Sequence, residues 1–257
     1  VGSLVSMGMP VFGKTGLYLR VRDFRPDLRL IRKLLWVGVP GGTEMATVIV
    51  CQLWFLSVIN SLGDTAAAAH GVAIRVESLA FLPGAAFQLA AATMAGQYLG
   101  AKMFDKANRS VLAACGIGGG IMLLAASVFF TAAPQLAALI AGGKNAEVVQ
   151  TAAPLLRTVA LGIPALASVM ILSGALRGAG DTRWPLFVSM LGLLGIRIPL
   201  AYWLALPEFT IPWIGLTVAA KGMGVWGAWC AMVIDLWVRA VLIFRRFQHG
   251  GWKHIEL

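Results

Sequence analysis

Glu44 stands in PGGTEMATVIV (residues 40–50), inside a stretch from 34 to 60 that carries no other charge. A charged side chain near the centre of a bilayer costs about 2.5–3.5 kcal/mol on insertion scales, so such a residue needs either a partner or a task. No basic residue lies one helical turn away on either side, and Pro40 removes a backbone hydrogen bond just before it. Gly41 and Gly42 loosen the same turn, so Pro40, Gly41 and Gly42 form a candidate hinge. An acid beside a broken helix, facing a wet cavity, suits a proton or cation site. The structural alternative is an ion pair with an arginine of another helix.

Two further acids and four arginines share the apolar runs. Glu77 lies two residues from Arg75, about 200° around a helix, so those two do not face each other. Glu77 is thus a second candidate for proton or cation coupling, or the partner of a distant cation. Asp235 and Arg239 are spaced as neighbours on one helix face and read as a structural ion pair. Arg157 and Arg197 either snorkel or pair with the acids. Gln52, on the face of Glu44, and Gln88 are candidates to line a polar cavity or to hydrogen-bond a neighbouring helix.

The elements that must hold these groups are membrane helices. The 257-residue chain is 59% hydrophobic and only 12% charged, with a mean hydropathy of +0.81. Soluble domains carry about 25% charged residues. Apolar runs long enough to cross about 30 Å of hydrocarbon recur, and no segment shows the alternation of a membrane β-barrel. The fold class is therefore all-α, an integral membrane bundle of six helices at about residues 34–60, 67–98, 110–140, 148–176, 184–206 and 224–247.

Loop charges orient the bundle. Fifteen Lys and Arg fall in the loops of one side against two, Lys144 and Lys221, on the other. Basic residues accumulate on the cytoplasmic side, so both ends of the chain are expected in the cytoplasm and the protein in the cell (plasma or inner) membrane. Residues 1–33 read as the end of a truncated helix plus a basic linker that meets membrane lipid, 34–247 as the transmembrane lobe, and 248–257 as a cytoplasmic tail. The chain opens on Val1 and reads as one whose upstream portion is missing. Trp36, Trp184 and Trp252, near span ends, suit interfacial anchoring.

Other chemistries lack their residues. The three histidines sit at loop edges or in the tail, with no HExxH, no nucleophile motif and no phosphate loop, so no enzyme is expected. The three cysteines stand singly, and no metal is expected. The net charge of +10 is confined to short loops rather than a folded basic face, which argues against nucleic acid as a partner.

The stretch SGALRGAGDTRWPLFVSMLGLLGIRIPLAYWL (173–204) resembles the RGxGDTRxP loop and following helix of the multidrug and toxic compound extrusion (MATE) transporters. VGVPGGTEMA (37–46) is similar to that family's seventh helix, and AIRVESLAFLPGAAFQLAAATMAGQYLGA (73–101) to its eighth. The resemblance implies the C-terminal half of a twelve-helix transporter, partnered by an N-terminal six-helix lobe of the same protein. It implies antiport of small, cationic or amphipathic molecules against H⁺ or Na⁺, with no other cofactor. By position Glu44 matches the family's seventh-helix acid and Glu77 an eighth-helix acid. Residues 148–176 contain no Asp or Glu, unlike members with a tenth-helix aspartate, which shifts the expectation toward protons.

The loop motif Arg177, Gly178, Gly180, Asp181 and Arg183 has its own physical reading. The arginines face the cytoplasm, the glycines permit a tight helix exit, and Asp181 caps the next helix with Pro185 in its first turn. A lipid-linked saccharide flippase of the same superfamily is the alternative cargo reading, favoured by Arg75, Arg157 and Arg197. A membrane enzyme or a purely structural bundle is a third.

Overall fold

A computed structural model of the chain describes residues 27–142, 145–211 and 216–254. The expected truncated helix in residues 1–20, most of the basic linker, Lys144 and the last three residues of the tail lie outside the described residues. The chain divides into two units, Val1–Gly38 and Val39–Leu257. In the first, Asp27 opens a helix. Its Oδ1 accepts from the amides of Arg29 at 2.9 Å and Leu30 at 3.3 Å, satisfying two donors that a helix start leaves free. That cap explains why the first helix begins at Leu28 rather than at 34.

In chain order the helices are α1 (Leu28–Asn60), α2 (Asp64–Gly100), α3 (Phe104–Thr131), α4 (Ala133–Ala141) and α5 (Ala146–Gly178). Then come α6 (Arg183–Met190), a π-helical segment (Leu191–Arg197), α7 (Ile198–Ala205) and α8 (Gly224–His249). Among the described residues six spans, with α6, the π-segment and α7 counted as one, are long and apolar enough to cross a membrane.

Two expectations change at proline residues, in opposite directions. The third run, expected to continue to 140, breaks at Ala132, because Pro134 in the first turn of α4 has no amide to donate back into α3. At Pro40 the expected break is absent: α1 runs unbroken through Pro40, Gly41 and Gly42. Thr43 Oγ1 donates to the Val39 carbonyl at 2.9 Å and Thr47 Oγ1 to that of Thr43 at 2.9 Å, so side chains tie the turns after the proline together.

The residues between α7 and α8, expected as plain loop, include an antiparallel hairpin. β1 (Glu208–Ile211) pairs with β2 (Leu216–Ala219), with Phe209 opposite Val218 and Thr210 opposite Thr217. α8 closes at Gly250, whose φ of 72° ends the helix in the left-handed region. A 3-10 turn (Gly251–His254) then folds Trp252 inward. Its ring stacks on Phe247 at 5.0 Å and its Nε1 donates to the Phe247 carbonyl at 2.9 Å. Trp252 is fully buried, so it is a core residue and not the interfacial anchor expected.

The core is built around α5. Leu155, Leu156, Ile163 and Met170 meet Val72 and Val76 of α2, Met122 of α3 and Trp229 and Met232 of α8. Further along α5, Ile171, Leu172 and Leu176 join a second apolar cluster with Ala91, Val111 and Ile243. Gly174 and Gly178 let α2 and α5 touch backbone to backbone. A Cβ at Gly174 would strike the Gln88 carbonyl, and one at Gly178 the Ala92 carbonyl. This is the small-xxx-small packing by which membrane helices associate without a hydrophobic driving force.

Candidate functional site: charged clusters between the spans

Glu44 is buried, and it has partners. Arg177, near the end of α5, donates to its carboxylate from Nε at 3.1 Å and Nη2 at 2.8 Å, and Ser189 of α6 adds a hydroxyl donor at 2.8 Å. The expectation of an acid without a cation is therefore overturned. The partner is an arginine far off in sequence, and one helix's spacing could not show it. Arg177 in turn is not directed freely into the loop: the pair ties α1 to the junction of α5 and α6.

The RGAGDTR loop is a second clasp. Gly180 has φ +86°, a conformation costly for any other residue. The Asp181 amide donates to the Leu176 carbonyl at 2.8 Å, so the turn is tight. Asp181 does not cap α6; Thr182 holds that position, without a side-chain cap bond. The Asp181 carboxylate is buried and pairs with Arg246 of α8 through Nε at 2.8 Å and Nη2 at 2.7 Å. The Arg246 guanidinium also lies 5.2 Å from the Trp184 ring centroid. Gly178 serves the contact with α2 described above rather than the helix exit.

The largest buried charge cluster sits deeper, where α8 meets the π-helical segment. Asp235, at 0% exposure, binds Arg239 one turn on, as its spacing suggested: Nε lies 2.9 Å from Oδ1 and Nη2 2.7 Å from Oδ2. It also binds Arg197, whose Nε and Nη2 each lie 2.9 Å from Oδ2. Arg197 is the last residue of the π-segment and rests 6.0 Å from the Phe55 ring centroid. Gly192 opens the approach, since a Cβ there would strike Asp235 and the Arg239 side chain.

Glu77 lies partly buried on α2. Among the described residues nothing hydrogen-bonds or ion-pairs with its carboxylate, and the charge it interacts with is Arg197. Glu44 and Glu77 share no hydrogen-bond or ion-pair partner among the described residues. The remaining candidates are dispersed. Gln52 is exposed on α1, whereas Gln88 is partly buried at the α2–α5 contact beside Gly174. Arg75 and Arg157 are exposed on α2 and α5. Outside these clusters, His70 accepts from Trp229 Nε1 at 3.2 Å and packs 6.0 Å from Phe55.

The MatE family model matches residues 40–203, which include Glu44, Glu77, the RGAGDTR loop and Arg197. The chain belongs to the MatE family. Among curated relatives, the multidrug resistance protein NorM of Burkholderia vietnamiensis is 31% identical over 87% of the chain and 46% of its own length. The uncharacterized transporter YisQ of Bacillus subtilis is 25% identical over 86% of the chain and 46% of its own length. A MOP superfamily transporter structure from Pyrococcus furiosus shares the fold, with a TM-score of 0.81 and 21% identity. That match covers 98% of the chain and 55% of the solved one. The chain thus spans about half the length of the relatives it matches. A MatE lobe of six spans, in a multi-pass membrane protein, accounts for the observed bundle.

Of the two readings left open for Arg197, snorkelling or pairing with an acid, the structure shows the pair, with Asp235. Which acid it takes had no local signal, because tertiary packing alone brings the two together. The close contact of α2 and α5 did have one, the Gly174-x-x-x-Gly178 spacing.

Proposed function

We propose that this MatE lobe serves in a secondary exporter, one that moves amphipathic organic cations out of the cell in exchange for protons. It works with an N-terminal six-helix lobe, in the plasma membrane, with both ends of this chain on the cytoplasmic side. The family match, relatives named as multidrug resistance proteins and the one-sided loop charge support this reading. The observation that carries the coupling is Glu77, an acid inside a membrane span with no hydrogen-bond or ion-pair partner among the described residues.

Glu44 takes a different part here. With two guanidinium donors and a serine hydroxyl it is a latch between α1, α5 and α6 rather than the proton carrier. Protons are favoured over Na⁺ because α5 between 148 and 176 offers no carboxylate to share an ion with either acid. The test is efflux of a cationic dye from proteoliposomes holding the full-length protein, driven by an imposed pH gradient. Efflux lost in Glu77→Gln supports the assignment; efflux unchanged in that variant removes it. A Na⁺ gradient that drives efflux without a pH gradient would replace the proton.

One observation favours a second reading, a flippase for lipid-linked saccharides. Arg75 and Arg157, exposed within α2 and α5, suit an anionic pyrophosphate head group better than a cation. Competition for binding between cationic dyes and a lipid-linked saccharide separates the two.

A further inference from the structure

Asp235 has no acceptor capacity left. A carboxylate offers about four lone-pair positions, and guanidinium nitrogens fill them. Arg197 Nε and Nη2 each lie 2.9 Å from Oδ2, Arg239 Nη2 lies 2.7 Å from the same oxygen, and Arg239 Nε lies 2.9 Å from Oδ1. A guanidinium carries about five N–H donors, so both arginines keep donors for another acceptor. Among the described residues Nη1 of neither arginine makes a hydrogen bond, and no buried side-chain nitrogen or oxygen lacks a partner. Both Nη1 groups therefore open onto accessible space.

The charges do not balance either. One carboxylate serves two guanidinium groups, with side chains only 0%, 7% and 9% exposed. Charges this deep are paired or bind something, because burial without compensation is heavily penalised. No other acid of the spans bonds to the cluster. Glu44 is held by Arg177 and Ser189, and Glu77 makes no hydrogen bond or ion pair with either arginine among the described residues.

We propose that Arg197 and Arg239 together hold one small monovalent anion, chloride in kind, where α8 meets the π-helical segment. The surplus of one positive charge sets the valence, and the burial of both side chains suits an ion of one atom better than a phosphate. The Nη2 groups of both arginines share Asp235 Oδ2 at 2.9 and 2.7 Å, so the two guanidiniums are near enough for a single ion to bridge. Phe55 stands 6.0 Å from the Arg197 guanidinium and keeps that side apolar, which strengthens an ionic contact beside it. Gly192, with no side chain, lets the π-segment bring Arg197 this close to α8. The site does not depend on which acid couples transport, since neither Glu44 nor Glu77 supplies a bond to it.

The test is equilibrium binding of radioactive chloride to the purified full-length protein in detergent, with gluconate as the replacing anion at constant ionic strength. The wild type should bind saturably. Arg197→Gln leaves Asp235 and Arg239 as a balanced pair and should bind about one chloride fewer per molecule. Chloride should also raise the melting temperature of the wild type over its value in gluconate, and leave that of Arg197→Gln unchanged. Arg197→Lys keeps the charge without the planar fork, so its affinity for chloride should fall about tenfold. Equal chloride binding by the wild type and Arg197→Gln overturns the proposal. Where Arg197→Gln does not fold, undiminished affinity in Arg197→Lys overturns it instead. Chloride that binds to Glu77→Gln and not to the wild type would show that the Glu77 carboxylate balances the cluster, and that result also sinks the anion site.

Discussion

Arg177 grips Glu44 with two nitrogens, at 3.1 and 2.8 Å, across 133 positions of sequence. The pair joins α1 to the end of α5, next to the loop whose Asp181 is held by Arg246 of α8. Three helices are thereby fastened near one turn. The Glu44 side chain is 7% exposed and that of Arg177 31%, so the pair is partly desolvated. Glu44→Ala should cost about 1–3 kcal/mol, less than a wholly buried pair, since water can reach the freed guanidinium. Thermal unfolding in detergent of Glu44→Ala, Arg177→Ala and the double variant checks it. The double variant should lose less than the sum of the singles.

Asp235 is the costlier residue to remove. Asp235→Leu leaves two buried guanidinium groups without their anion, and about 3–5 kcal/mol of stability should go with it. Asp235→Asn keeps the shape and loses the charge, so it should fall between wild type and Asp235→Leu. Equal melting temperatures for Asp235→Leu and wild type would show that the cluster contributes nothing to folding.

Glycines divide sharply by what a methyl group would meet. Gly178→Ala drives a Cβ into the Ala92 carbonyl, and Gly192→Ala drives one into Asp235. Each should lower stability by about 1–3 kcal/mol, the usual cost of overpacking. Gly116→Ala meets nothing within 4 Å on α3 and should be neutral or stabilising. Melting curves of the three single variants decide it; a Gly178→Ala protein as stable as Gly116→Ala would contradict the α2–α5 contact.

Trp252 offers a check on the folded tail. Buried against Phe247, it should cost about 3–5 kcal/mol when cut to alanine. Were it an exposed membrane anchor, Trp252→Ala would leave thermal unfolding almost unchanged.

What the sequence made legible follows its physics. Runs of apolar residues long enough for a bilayer located all six spans, four of them to within a few residues at both ends, while the first began six residues early and the third ended nine residues early. Length and hydropathy are local properties. The i,i+4 pair of Asp235 and Arg239 was legible for the same reason. The partners of Glu44 and the second partner of Asp235 were not, because they lie on other helices and depend on how those helices pack. Pro40 misled in one direction and Pro134 in the other. A proline removes one hydrogen bond in either place, and the surrounding side chains decide whether the helix survives. The hairpin at Glu208–Ala219 carried a modest signal in its Thr, Ile and Val residues, too short to outweigh its setting between two spans.

The assignment of Glu77 as the proton-exchanging group is tested most directly by counting protons. Adding a cationic substrate to the purified full-length protein in weak buffer should release about one proton per molecule bound, the stoichiometry of a single exchanging carboxylate. Glu77→Gln should bind without release, and Glu44→Gln should release as the wild type does. Undiminished release from Glu77→Gln, or its loss in Glu44→Gln alone, would contradict the account.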